Sequence, residues 1–124
     1  MNLRLSALPH TWLIDLDGTM LKHNGHKQPG GDQVLPGVPE LWARIPAADM
    51  IILLSARKET EMAATLAFLR RQGLRFDRAL FELPVGERIL INDAKPGGLQ
   101  TALAVNVVRD GDLSDVVVTI DPEM

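Results

Sequence analysis

The sequence predicts an α/β domain built on a parallel sheet, and three observations carry that prediction. Short apolar runs at residues 12–16, 50–54, 88–91 and 104–108 alternate with stretches of helical period or turn composition. The runs are close to continuously apolar, the pattern of strands covered on both faces. Three of them end on polar side chains: Asp15 and Asp17, Ser55, and Asn92-Asp93. In open parallel sheets, ligands bind at those carboxyl ends.

Residues 1–10 read as a lead-in loop. Trp12-Leu13-Ile14-Asp15-Leu16 is the first strand, broken only by its aspartate. Residues 20–36 carry Lys22, His23, Asn24, Gly25, His26, Lys27, Pro29, Gly30, Gly31 and Asp32, and read as a loop or small hairpin, a flap beside the aspartates. Val38, Leu41, Trp42 and Ile45 share one helical face; Pro39 suits the first turn and Pro46 stops the helix. Residues 50–54 are the second strand. A helix over residues 59–72 follows, with Met62, Leu66 and Leu69 inward and Gly73 as a left-handed cap. A third short strand is expected around residues 78–81 and a fourth at 88–91. Residues 95–98 form a turn and 99–103 a brief helix. A fifth strand is expected at 104–108 and an edge strand at 116–120. These connections are right-handed crossovers.

The 124 residues suit one domain, residues 1–124, and 46% hydrophobic content supplies one core. Aromatics are only 4%, so that core is aliphatic. A net charge of −3 argues against a general electrostatic grip on nucleic acid, which needs a basic stripe, so no nucleic-acid partner is expected. With no cysteine, disulfides and thiolate metal sites are excluded. Pro9, His10, Asp15 and Asp17 interrupt any signal-peptide core, and no apolar run is long enough to span a membrane. A cytoplasmic protein without a membrane partner is expected.

Asp15 is costly at the end of a buried strand unless it is paired, hydrogen-bonded or bound to metal. At strand spacing Asp15 and Asp17 start on the same side, and Gly18 lets the chain turn so that their roles diverge. The string Asp15-Leu16-Asp17-Gly18-Thr19 resembles the first motif of the haloacid dehalogenase superfamily of phosphohydrolases. That resemblance implies a three-layer Rossmann-like sheet in strand order 5-4-1-2-3. It makes Asp15 the nucleophile that becomes an aspartyl-phosphate, and Asp17 the acid and later the base. Ser55 resembles the second motif, whose hydroxyl donates to a phosphoryl oxygen. Asn92-Asp93 resembles the fourth, which completes a magnesium site. Mg²⁺ takes oxygen ligands, here Asp15, the Asp17 carbonyl and Asp93. Lys95-Pro96 stands where the family often has further acids.

The third motif, a Lys or Arg that stabilises the transferring phosphoryl group, has no lysine between Lys58 and Lys95. Lys95 is the better placed candidate. Arg88 begins its strand and is expected to lie away from the site. Gly18, Thr19, Ser55, Ala56 and Arg57 are the expected substrate contacts, with Arg57 on a substrate phosphate. His23 and His26 are too few for a zinc site and read as solvated. Gly30-Gly31 and Gly97-Gly98 match no nucleotide cradle.

Neither interval between the motifs has room for a cap domain, so the resemblance is to the capless branch. It implies a magnesium-dependent phosphatase of a small phosphorylated metabolite, such as a sugar phosphate. The alternatives are a phosphatase of a macromolecular substrate and a non-catalytic binding module. With no cap to close the site, a homo-oligomer with the flap near its interface is expected.

Overall fold

Met50-Ile51-Ile52-Leu53-Leu54 becomes the middle strand of a three-stranded parallel sheet in the computed structural model, which describes residues 1–124. The elements in chain order are β1 (Asn2–Leu5), β2 (Thr11–Asp15), α1 (Val38–Arg44), β3 (Met50–Leu54), α2 (Met62–Arg71), β4 (Arg78–Leu80) and β5 (Val117–Ile120). The sheet runs β2-β3-β4, with Asp15 opposite Leu54 and Leu54 opposite Leu80. All three strands therefore stop at one edge, where the aspartate pair and Ser55 lie.

Each helix follows from its sequence. Gly37 takes φ +82 at the start of α1, and a Cβ there would meet the Ser114 nitrogen at 2.1 Å, so this position requires glycine. Val38, Leu41 and Trp42 are the buried face of α1, and the Trp42 indole donates to the Arg75 carbonyl at 2.9 Å. A 3₁₀ turn, Glu59–Glu61, leads into α2, which buries Thr65 and Leu69. Its end is a Schellman motif: Leu74 N–H bonds the Leu69 carbonyl, and Gly73 N–H, at φ +74, bonds that of Arg70.

The α/β class and the parallel pairing expected from the sequence are present, in smaller sheets than expected. Residues 1–10 are not all loop: β1 pairs in parallel with β5, Leu3 opposite Val118, as a separate two-stranded sheet. Asp49 ties the N-terminal ends of β2 and β3. Its carboxylate accepts the His10 backbone N–H at 3.0 Å, the His10 ring at 2.7 Å and the Trp12 indole at 2.9 Å. Residues 88–91 and 104–108 are not strands, and residues 99–103 are not a helix. Ile89 and Ile91 are 83% and 91% exposed. Arg88 is held by Asp15 at the carboxyl end of β2. The apolar run after it begins where β2 stops, so no strand lies beside it. β2 is consequently an edge strand, its outer side unpaired.

Sixteen buried apolar side chains form one core, and Leu16, Met20 and Leu21 are fully buried within it. These three anchor the turn that follows Asp15: Met20 and Leu21 N–H both bond the Leu16 carbonyl. The chain then runs through the flap and returns, with Leu21 bridged to Val34. Arg44 fastens the C-terminal segment to α1 by donating to the Ser114 and Val116 carbonyls. No helix is long and apolar enough to cross a membrane.

Candidate active site

Asp15 closes β2 with its side chain 36% exposed. One oxygen, Oδ2, accepts the Thr19 hydroxyl at 3.0 Å; the other, Oδ1, accepts Arg88 Nη1 at 2.7 Å. The Thr19 hydroxyl thus orients Asp15, and the Gly18 φ of +84 makes the turn that brings Thr19 back. Arg88 is the cation at this carboxylate, contrary to the expectation that it lies away from the site. Lys95, the expected cation, forms no ion pair with any carboxylate and sits in a turn closed by Gly98 N–H on its carbonyl.

Asp17 lies beyond the turn and is gripped by Arg57. The guanidinium gives Nε–H to Asp17 at 3.1 and 3.2 Å and Nη2 to Asp17 Oδ1 at 2.8 Å. It also gives Nη2 and Nη1 to Asp32 at 2.8 and 2.9 Å, and Nη1 to the Thr65 hydroxyl at 3.0 Å. Those contacts use all five N–H donors of an arginine. The Arg57 side chain is 2% exposed. It is therefore not a free substrate contact, as expected from the sequence, but an internal brace. Burial acts to lower its pKa, and the carboxylates of Asp32 and Asp17 outweigh burial, so its charge is held more firmly than usual.

Ser55 is buried and its Oγ accepts the Arg57 backbone N–H at 3.0 Å, leaving its own proton free to donate. Ala56 beside it is exposed. Asp93 does not join Asp15 and Asp17. It lies on the exposed segment, its carbonyl taken by the Thr101 hydroxyl. No three carboxylates or histidines gather anywhere in the chain as a metal-binding group. As arranged, the side chains do not fit a magnesium ion, because a guanidinium occupies the Asp15 oxygen where a ligand set would form and the third carboxylate is elsewhere.

The sequence reading missed three contributors. Asp32, in the flap, reads as a solvated loop acid yet its side chain is 9% exposed. Thr65 gives no signal beyond a polar residue on a helix. Arg109 lies across Gly18, its Cγ 3.1 Å from where a Cβ would stand, and pairs with no carboxylate. No local signal marks them: Arg57 demands counter-charges only once the fold has buried it. His26 contacts Glu61 at 3.4 Å, joining the flap to the turn before α2. The chain matches no family model, no curated protein and no solved structure.

Proposed function

We propose that this chain is a phosphate monoester hydrolase of the haloacid dehalogenase type, with Asp15 as nucleophile. One observation carries the reading. Asp15 ends a parallel strand at the sheet's carboxyl edge, its carboxylate half-open, fixed by Thr19 and faced by an arginine. Phosphate monoesters resist attack because their anionic oxygens repel a nucleophile, and a cation offsets that repulsion. An Asp15 oxygen attacks phosphorus in line, the ester P–O bond breaks, and the leaving alkoxide takes the proton that Asp17 carries on Oδ2 when it enters the step as the carboxylic acid, its Oδ1 staying on Arg57 Nη2. Water then attacks the aspartyl-phosphate, giving its proton to Asp17, and phosphate departs. The covalent intermediate divides one hard step into two easier ones. Arg88 is the cation of this reading, and Ser55 the hydroxyl donor.

The expected substrate is a small phosphorylated metabolite such as a sugar phosphate. Magnesium belongs to a different arrangement of the site, with Asp93 beside Asp15 and Arg88 drawn away from it along the strand. That requires residues 88–91 to move onto the open edge of β2, which is the sheet order 5-4-1-2-3. The unpaired side of β2 and the exposed Ile89, Leu90 and Ile91 support that order. A second reading, a non-catalytic binding module, is favoured by the ion pairs that Asp15 and Asp17 already make. A phosphate-release screen over phosphorylated metabolites, with Mg²⁺ and with EDTA, separates the two. Turnover that disappears in Asp15→Asn supports the hydrolase; no release from any ester leaves the binding module.

A further inference from the structure

We propose that Asp32 is a positioning residue: through Arg57 it fixes the orientation of the Asp17 carboxylate and so ties the flap to the proton-transfer group. The linkage rests on geometry alone, and its kinetic consequence rests on the phosphatase reading. The Arg57 guanidinium is a planar fork whose donors divide into two sides. Asp32 takes one edge with both oxygens, at 2.8 and 2.9 Å, and Thr65 takes the remaining Nη1 proton at 3.0 Å. Asp17 takes the opposite edge, through Nε and Nη2.

The plane of the guanidinium is therefore set from the flap and from α2, and Asp17 follows it. No other side chain donates to Asp17, so its orientation depends on this one partner. The Arg57 side chain is 2% exposed, which leaves little room for water to replace a lost carboxylate. Removing Asp32 strands two buried N–H donors. The fork must then turn, and Asp17 turns with it. An ammonium in place of the guanidinium cannot span both carboxylates in the same way.

Two measurements test the linkage. The first compares an alkyl phosphate, whose poor leaving group needs a proton, with p-nitrophenyl phosphate, which does not. Asp32→Asn is expected to lower kcat on the alkyl ester by about 10- to 100-fold while KM stays within about twofold, and to lower kcat on the aryl ester by less than about threefold. Asp32→Glu, which keeps the carboxylate, should recover most of the alkyl rate. Equal losses on both esters would mean a merely structural clip and would overturn the proposal.

The second measurement needs no activity. Asp17→Asn and Asp32→Asn, singly and together, enter a double-mutant cycle on unfolding by denaturant. Residues meeting on one guanidinium should be non-additive. Additive effects would overturn the linkage. If the wild-type chain hydrolyses neither ester but the cycle is non-additive, the phosphatase reading fails and the Asp32–Arg57–Asp17 linkage stands. Should Asp32→Asn not fold, Asp32→Ser, which also removes the carboxylate, enters both measurements in its place and is judged by the same two criteria.

Discussion

At Asp15 a charge sits where a strand should be apolar, and each of its oxygens has a partner chosen by the fold. Thr19 comes from the turn after β2, and Arg88 from a segment 73 residues away in sequence. If Asp15 is the nucleophile, Asp15→Asn should lower kcat by about 10³-fold or more, because the covalent route is closed. Wild-type turnover in that variant excludes the mechanism. The two candidate cations are told apart by paired substitutions. Arg88→Ala should reduce kcat by about 10- to 100-fold, the scale of one lost electrostatic donor. Lys95→Ala should leave it unchanged. The opposite ranking would return the role to Lys95. Arg57 was legible in the sequence as a cation after Ser55. Its partners were not, because Asp32 lies 25 residues upstream in a loop with no periodicity.

At the scale of elements, β2 carries the unresolved balance of the fold. Its inner side is paired with β3 and its outer side with nothing. An unpaired strand edge is a template for another strand. Residues 89–91 are apolar, exposed and without regular structure. If magnesium draws Asp93 to Asp15, this segment must pair with β2. Hydrogen exchange should then show slowed amides at residues 89–91 on adding Mg²⁺, by about tenfold or more if the ladder forms. Unchanged exchange at saturating Mg²⁺ would refute the order 5-4-1-2-3 and the Asp93 ligand together. The helices were more legible than the later strands. α1 and α2 are specified locally, by Gly37 and Pro39 at one start and Gly73 at the other end. A strand exists only where a partner strand lies alongside it, and a single apolar run does not specify that partner.

For the whole molecule, a carboxylate far from the candidate site is placed to respond to acid. Asp49 is buried at the opposite edge of the sheet. Burial works to raise its pKa, but the Trp12 indole and the His10 N–H and ring outweigh it, so the carboxyl is held below the ordinary range. A depressed carboxyl pKa stabilises the fold above its unfolded value, near 4, and that contribution is lost as pH falls through the folded value. Denaturant midpoints should therefore fall as pH drops below about 4, and Asp49→Asn should flatten that drop at a cost of about 1–3 kcal/mol at pH 7. A wild-type slope in Asp49→Asn would assign acid sensitivity to other groups. Val85, Ile89, Leu90, Ile91, Leu103 and Val108 are all exposed between residues 85 and 108, and exposed apolar side chains favour association where they gather into a patch. Light scattering is expected to show a homo-oligomer. A monomer that still discriminates among small sugar phosphates would overturn that expectation.

Local sequence is enough for the α/β class, strands at residues 11–15, 50–54 and 78–80, both helices, and the placing of Asp15 and Ser55 at strand ends. Those features depend on local period, caps and uninterrupted apolar runs, which are written within a few residues of one another. That Arg57 faces inward, that Arg88 faces Asp15, that Asp32 is a buried partner and that β1 pairs with β5 follow from long-range contacts alone. Each of these depends on which distant groups meet. A charge must find its counter-charge once it leaves water, but its own neighbours in the chain do not say which one.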